Sequence, residues 1–451
     1  MDTRESPQIT KMGCASAHRN TLKVTLILML LSAVSQTRAA NVYFTNAAPE
    51  GASWFTTNNW TPNFPAPDDI AYINKAGATV HAVVDAPDAT IEQLRLSNGD
   101  PAKLTVRTGG DLQIGYIFIG NGAPAQLIVT GGYLRISGRM YIGNQPPSEE
   151  NPGPVEVVQF GGVVHASNSK NTGNIILNDN SGIFPEGYPC YKLVGGVVTS
   201  QIWSVGQKGY GAVIMEGGTN RSSAIHVGLN NDPQYTGYGL YKQSGGLTAA
   251  TRFTIGNTAA YGRYELSGGR CEDTWSGMFC GNKGVGEFLL SGGIHYVKGS
   301  LYLGQDPTGV GTYRASGGKL EASQRIYVGY EGGTGNFEVV GSGAIISCKG
   351  YTQSANSMLS LCLTNGLSSI AVGSHNAALD GALSVNLLGP NYPEPSSVVT
   401  VMTYSAFSGA FNATNLAPAN LLLGVRVNYH DTCLTLDGWQ YPPRGTFLVI
   451  R

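Results

Sequence analysis

Paired carboxylates, histidines and outward-facing aromatic rings are the side chains in this sequence that could do chemistry. Hydrolysis of a glycosidic bond needs two carboxyl groups about 5–9.5 Å apart. A polysaccharide lyase needs clustered carboxylates for calcium and a basic residue that accepts the proton. Adjacent acidic pairs stand at Asp68-Asp69, Glu149-Glu150 and Glu272-Asp273. The first two fall in loop-like stretches. The third lies in the repetitive middle of the chain, where the equivalent positions of the neighbouring copies are Ala249-Ala250 and Tyr296-Val297. Carboxylates therefore form no row, and no catalytic residue is expected. The histidines beyond the N-terminus (His81, His165, His226, His295, His375, His430) share no register, since His165 lies four residues past the first Gly of its pair and His295 three. Hydrogen-bonded or solvated imidazoles are expected, and no metal site. No Cys-x-x-Cys, Gly-x-Ser-x-Gly, P-loop or dinucleotide fingerprint occurs, so no cofactor is expected either.

The aromatic rings gain meaning only from the elements that carry them. The chain has 451 residues, 62 of them Gly; 42% are hydrophobic and 13% charged, with a formal net charge of −1. That hydrophobic content excludes a disordered chain, and the glycines do not fall every third residue as in collagen. A near-neutral chain without a basic block argues against nucleic acid as a partner. Four consecutive copies of one pattern begin at Leu240, Arg263, Glu287 and Thr312, each with a Ser-Gly-Gly near its start. Looser copies carry Gly109-Gly110, Gly131-Gly132, Gly161-Gly162, Gly195-Gly196 and Gly217-Gly218, and a last one has Gly341-Ser342-Gly343.

Within each copy, apolar residues alternate with mixed ones. Three residues before a closing Gly stand Ile117, Met140, Trp203, Ile225, Phe253, Met278, Leu301 and Ile326. One residue before it stand Ile119, Ile142, Val205, Val227, Ile255, Cys280, Leu303 and Val328. Such period-2 alternation predicts strands with these two columns inside. Before the Gly pair, Tyr191, Val213, Tyr241, Tyr264, Phe288, Tyr313 and Phe337 are placed inside as well. Strands recurring every ~24 residues pair with the same strand of the next copy. The fold class predicted is all-β: a parallel, right-handed β-helix or β-solenoid of about ten coils over residues 101–361, with three short sheets and Gly pairs at the corners. A propeller blade would need about 40–50 residues. Stacking coils would bring Lys242 beside Glu265 and Arg314 beside Glu338.

The column between the two inward ones reads Phe118, Tyr141, Ser204, His226, Thr254, Phe279, Tyr302 and Tyr327. Its five aromatics, Phe118, Tyr141, Phe279, Tyr302 and Tyr327, are the candidate binding residues. Flat rings along a sheet suit stacking on sugars, and stacked rings also stabilise a sheet without any ligand.

The ends do not repeat. Arg4, Lys11, Arg19 and Lys23 precede the 11-residue apolar run from Val24 to Val34, and Thr37-Arg38-Ala39 follows. Residues 1–39 read as a signal peptide cleaved after Ala39, with Met12 as an alternative start and a retained anchor as the alternative outcome. The run is shorter than the ~20 residues a bilayer span needs, so a secreted or cell-surface protein with no transmembrane segment in its mature chain is expected. Residues 40–100 read as an N-terminal cap, with Trp54 and Trp60 as a lid over the core or as a sugar platform. Residues 362–451 read as a C-terminal β cap with strands at 382–387, 398–402, 425–427 and 447–450. Six cysteines remain after cleavage, mostly expected as small buried hydrophobes, though three disulfides are also possible.

The Ser-Gly-Gly repeats, the Trp54…Asn59-Trp60-x-Pro62…Asp68-Asp69 opening and the Gly381-Ala-Leu-Ser-Val-Asn-Leu…Gly445-Thr-Phe-Leu-Val-Ile-Arg451 tail resemble exported bacterial β-helical proteins with autotransporter-associated or PEP-CTERM-type β-strand repeats. The resemblance covers nearly all of the mature chain and implies fold and export, with no catalytic residues to carry over. The sorting motif, apolar anchor and basic tail of PEP-CTERM proteins are not seen before Arg451. The leading expectation is a non-catalytic structural or adhesive solenoid. Its alternatives are a carbohydrate-binding protein using the aromatic column, with an extracellular polysaccharide or cell-surface component as partner, and a β-helix lyase or hydrolase.

Overall fold

The computed structural model describes residues 39–147, 153–167, 173–179, 189–230, 232, 234–364, 366–388, 393–417 and 424–440. The expected signal peptide and the expected strand at 447–450 lie outside the described residues. Within the unit Asn41–Arg451 the chain is a parallel β-solenoid of about 12 turns at ~24-residue spacing, close to the ten coils expected. Among the described residues no helix is long and apolar enough to cross a membrane.

The repeat length and the strand register are one fact seen twice. In the first ladder Tyr241 lies opposite Tyr264, Tyr264 opposite Phe288, Phe288 opposite Tyr313 and Tyr313 opposite Phe337, steps of 23, 24, 25 and 24 residues. This ladder holds 15 strands in strict sequence order. The other two strand columns expected from the sequence merge into one 24-stranded sheet. Long strands such as Asp111–Asn121, Thr219–Leu229 and Leu247–Asn257 run through the corner between the columns, where the ladder skips a residue or two, while in other coils the columns are separate strands such as Arg270–Asp273 and Met278–Cys280. These long strands link the two columns, so the strands group into two sheets rather than three.

The parallel ladder also extends past both expected boundaries. Asn41–Phe44 pairs with Ile70–Ile73, and Met358–Leu363 pairs with Ala382–Leu387, which pairs with Ala413–Ala417. These coils lack the Ser-Gly-Gly signature yet keep the geometry. At the closing corner Gly120, Gly143, Gly206, Gly228, Gly256 and Gly281 all have φ between 67° and 76°. Ser97 (φ 70°) and Asn178 (φ 56°) occupy the same corner in coils without that Gly. Each ties down its backbone with a side-chain hydrogen bond, Ser97 Oγ to the Ala123 carbonyl at 3.0 Å and Asn178 Nδ2 to the Tyr210 carbonyl at 3.0 Å. Non-Gly residues tolerate this region at a cost that such bonds offset.

Antiparallel strands cover the ends. Trp60–Thr61 lies against Tyr43–Phe44, and the Trp54 and Trp60 rings are buried edge to face, 4.6 Å apart, with Phe44 against Trp60 at 5.1 Å. At the other end Val399–Thr403 pairs with Cys433–Asp437, which pairs with Arg426–Tyr429.

Every residue of the three columns read as inward is buried to 1% exposure or less. Inside, Tyr241, Tyr264, Phe288 and Tyr313 form a continuous stack with centroids 4.7–5.0 Å apart and ring planes within 9°. Their hydroxyls need partners once dehydrated. Glutamines supply them: Tyr264 donates to Gln243, whose Nε2 donates to the carbonyls of Gly245, Gly246 and Arg270. Gln159 does the same for Tyr191, and Gln353 for Tyr351. His295 stacks 4.3 Å from Phe288 and bonds Tyr313 Oη through Nδ1 at 2.9 Å. Burial lowers its pKa to about 3. All six cysteines of the described chain are free thiols, four of them buried.

Two outcomes test this packing. Gly77 and Gly293 share a φ near 70°, but a Cβ at Gly77 meets nothing within 4 Å whereas one at Gly293 would lie 2.6 Å from the Gly269 carbonyl oxygen. Gly77→Ala should cost about 1–2 kcal/mol from backbone strain alone, and Gly293→Ala clearly more; equal urea midpoints would contradict the close approach of coils. His295 binds a proton far more readily unfolded, at its ordinary value of about 6.5, than folded. Its contribution is therefore fully present above pH 6.5 and is lost as pH falls toward 3, at up to about 1.4 kcal/mol per pH unit. The urea midpoint of His295→Phe should fall less steeply between pH 7 and 4 than that of the parent protein.

Candidate functional site

The outward column expected from the sequence exists and is longer than the repeats suggested. Tyr43, Tyr72, Arg95, Phe118 and Tyr141 stand in successive register. Ile176, Ser204, His226 and Thr254 continue it, then Phe279, Tyr302 and Tyr327. Parallel strands force this, since each rung sits about 4.8 Å above the last.

The five candidate rings fall into two stacks. Phe279, Tyr302 and Tyr327 lie 5.0 Å apart at interplanar angles of 11° and 4°. Tyr330 packs against Tyr302 and Tyr327 at about 5 Å, and the Arg325 guanidinium lies 6.0 Å from the Tyr327 ring. Phe118 and Tyr141 form the other stack, 4.9 Å apart at 7°. It extends toward the N-terminus through Arg95, whose guanidinium lies 5.6 Å from Tyr72 and 5.5 Å from Phe118. The sequence column, defined by a closing Gly, begins at Phe118 because Ser97 replaces that Gly in the preceding coil; there a guanidinium fills the slot.

Orientation limits what these rings can do. Within each stack the faces are turned to one another, so the sheet surface presents ring edges and tyrosine hydroxyls. A glycan lying along the column would meet those edges and hydroxyls rather than open faces.

Between the stacks the column holds Ile176, Ser204 and His226, and the surface sinks into a hollow of about 180 Å³ bounded also by Arg139, Asn174 and Gln207. Arg139 Nη1 donates to Tyr141 Oη at 3.1 Å, placing a cation at the rim. Asn174 Oδ1 and His226 Nδ1 are buried without a hydrogen-bond partner among the described residues. Each such atom ordinarily costs about 1–3 kcal/mol. Burial first, then the Arg252 charge, lowers the His226 pKa to about 4, so the imidazole is neutral at physiological pH. Burial raises the pKa of nearby Asp179, against the opposing pull of Lys208 and Arg139.

The other candidates for chemistry separate. Glu272 and Asp273 alternate across one strand, Glu272 paired outside with Arg270 and Asp273 wholly buried. Asp273 Oδ2 accepts from the Gly277 and Gly299 amides at 2.9 and 3.3 Å, an anchoring role. His81 bonds Thr105 at 2.8 Å and His430 bonds Thr435 at 3.1 Å. The two expected ion pairs form, Lys242–Glu265 at 3.5 Å and Arg314–Glu338 at 3.0 Å.

A second aromatic row escaped sequence reasoning. Tyr210, Tyr238 and Tyr261 stand in register on the outer face of the first ladder. Tyr210 and Tyr238 stack at 4.4 Å and 11°, and Tyr261 donates to Glu287 at 2.8 Å. With Leu240 and Arg263 they border an apolar hollow of about 260 Å³. Its signal is the Tyr-Gly dipeptide shared by these three copies, which lies outside the columns read from the Gly pairs and closing glycines.

No protein-family model, curated protein or solved structure matches the chain.

If the outward stack is structural, Tyr302→Ala removes three ring contacts, to Phe279, Tyr327 and Tyr330, worth about 0.5–1.5 kcal/mol each beyond burial. We expect its urea midpoint to drop accordingly and that of Tyr302→Phe to stay close to the parent. Equal loss in both variants would place the effect in the hydroxyl instead.

Proposed function

We propose that this protein is exported and acts outside the cell as a non-catalytic structural or adhesive β-solenoid. The observation that carries the reading is the outward column, which holds one register from Tyr43 to Tyr327 and beyond. A side chain repeated about every 4.8 Å on a rigid frame suits contact with an extended partner better than the capture of a small substrate. The basic, apolar and small-residue pattern of residues 1–39 supports export. A second reading, contact with an extracellular polysaccharide or cell-surface glycan through the same column, is favoured by the polar hollow set between its two aromatic stacks.

Location is the quantity to measure first. Antibody against the purified protein should label intact producing cells or their medium, and external protease should remove the cell-bound signal. Labelling that appears only after lysis would overturn the reading.

A further inference from the structure

We propose that the hollow between the two aromatic stacks is a binding subsite for one hydroxyl-bearing carboxylate, a single acidic sugar residue of the uronate class. The inference deepens the glycan reading of the outer face and rests on it.

Three features point to that chemistry. The first is a matched pair of unmet needs. Among the described residues Asn174 Oδ1 and His226 Nδ1 have no partner, and both side chains border the same hollow. Asn174 Oδ1 can only accept, so it needs a donor. A sugar hydroxyl supplies one, and it can donate to or accept from the imidazole whichever tautomer is present. A simple inorganic anion, rich in acceptors, leaves Asn174 unmet.

The second feature is charge. Arg139 stands at the rim, and Lys208 and Arg252 act electrostatically on Asp179 and His226. Among the described residues Asp179 is the acid of the group, already engaged by Lys208 at 3.8 Å and by Gln207 Nε2 at 3.1 Å. The local balance is cationic and favours a carboxylate, for which the Arg139 guanidinium is a geometrically apt partner.

The third is size and lining. Ile176, Ile202 and Leu229 give the hollow apolar surface and Ser204 gives it a hydroxyl, which suits a ring with a C–H side and polar edges. A volume of about 180 Å³ is below the 300–1,000 Å³ usual for drug-sized ligands, so it fits one residue of a polymer whose neighbours lie over Tyr141 on one side and Thr254 on the other.

The test is isothermal titration of the full chain with a galacturonate trisaccharide, a neutral galactose trisaccharide and acetate. The acidic trisaccharide should bind at least about tenfold more tightly than either comparator, the factor a charge-assisted hydrogen bond brings. Arg139→Gln should weaken it by a similar factor. Asn174→Leu should weaken it too, while leaving the thermal midpoint unchanged or higher because an unmet buried acceptor is gone. A parent protein that takes up no acidic trisaccharide overturns the subsite. So does equal binding of acetate or of the neutral trisaccharide, or an unaltered affinity in Arg139→Gln with its fold intact by circular dichroism. Surface-labelled protein that binds no uronate removes this subsite alone; tight uronate binding by a protein confined within the cell removes the export reading alone.

Discussion

A strand whose equivalent lies ~24 residues away has nothing within its own coil to pair with. Its amides and carbonyls must find partners in the coil before and the coil after, and that single constraint organises the molecule. It fixes the rise between coils, and it forces residues at equivalent positions into rows. It also brings backbone so close at the corners that Gly293 lies against Gly269 with no room for a Cβ. The pairing is nearly continuous from Asn41 to Ala417, with antiparallel strands covering the two ends where unpaired edges would otherwise invite other chains.

Rows of like residues follow, inside and out. Inside, stacked rings fill the core and glutamines satisfy their hydroxyls while tying down the Gly-pair corners, so one side chain serves packing and turn together. Outside, rings pack by the same stacking and thereby use up the faces that a sugar would need. The feature that distinguishes the outer column is therefore its interruption. Where the rings give way to Ile176, Ser204 and His226, polar atoms are left buried and unpaired beside Arg139, an arrangement that stability alone does not favour.

Most of the fold was legible because alternation and repeat length are direct consequences of pleat and register. The inward columns, the Lys242–Glu265 and Arg314–Glu338 pairs and the Phe279–Tyr302–Tyr327 stack could all be read from spacing. The outer coils were harder. Ser97 and Asn178 take a corner that Gly marks elsewhere, so the motif vanishes although the turn does not. The linking of two strand columns was hidden because nothing in a strand's composition says whether the strand runs on through a bend. At the site, Arg95 lies outside the pattern because Ser97 replaces the closing Gly that defines it, and its guanidinium in fact continues the column. His226 read as an interruption, since a hollow depends on neighbouring coils of unequal length that spacing within one copy does not describe.

Register between successive coils is the claim on which all of this stands, and disulfide trapping reads it directly. Lys242 lies opposite Glu265, and Glu265 opposite Leu289. Residues on adjacent parallel strands are within the 4.4–6.8 Å Cα separation a disulfide needs, and those two coils apart, at roughly 10 Å, are not. Under mild oxidation Lys242→Cys with Glu265→Cys should cross-link readily, and Lys242→Cys with Leu289→Cys should remain reduced. Cross-linking of the second pair in preference to the first would contradict the stacked, in-register solenoid.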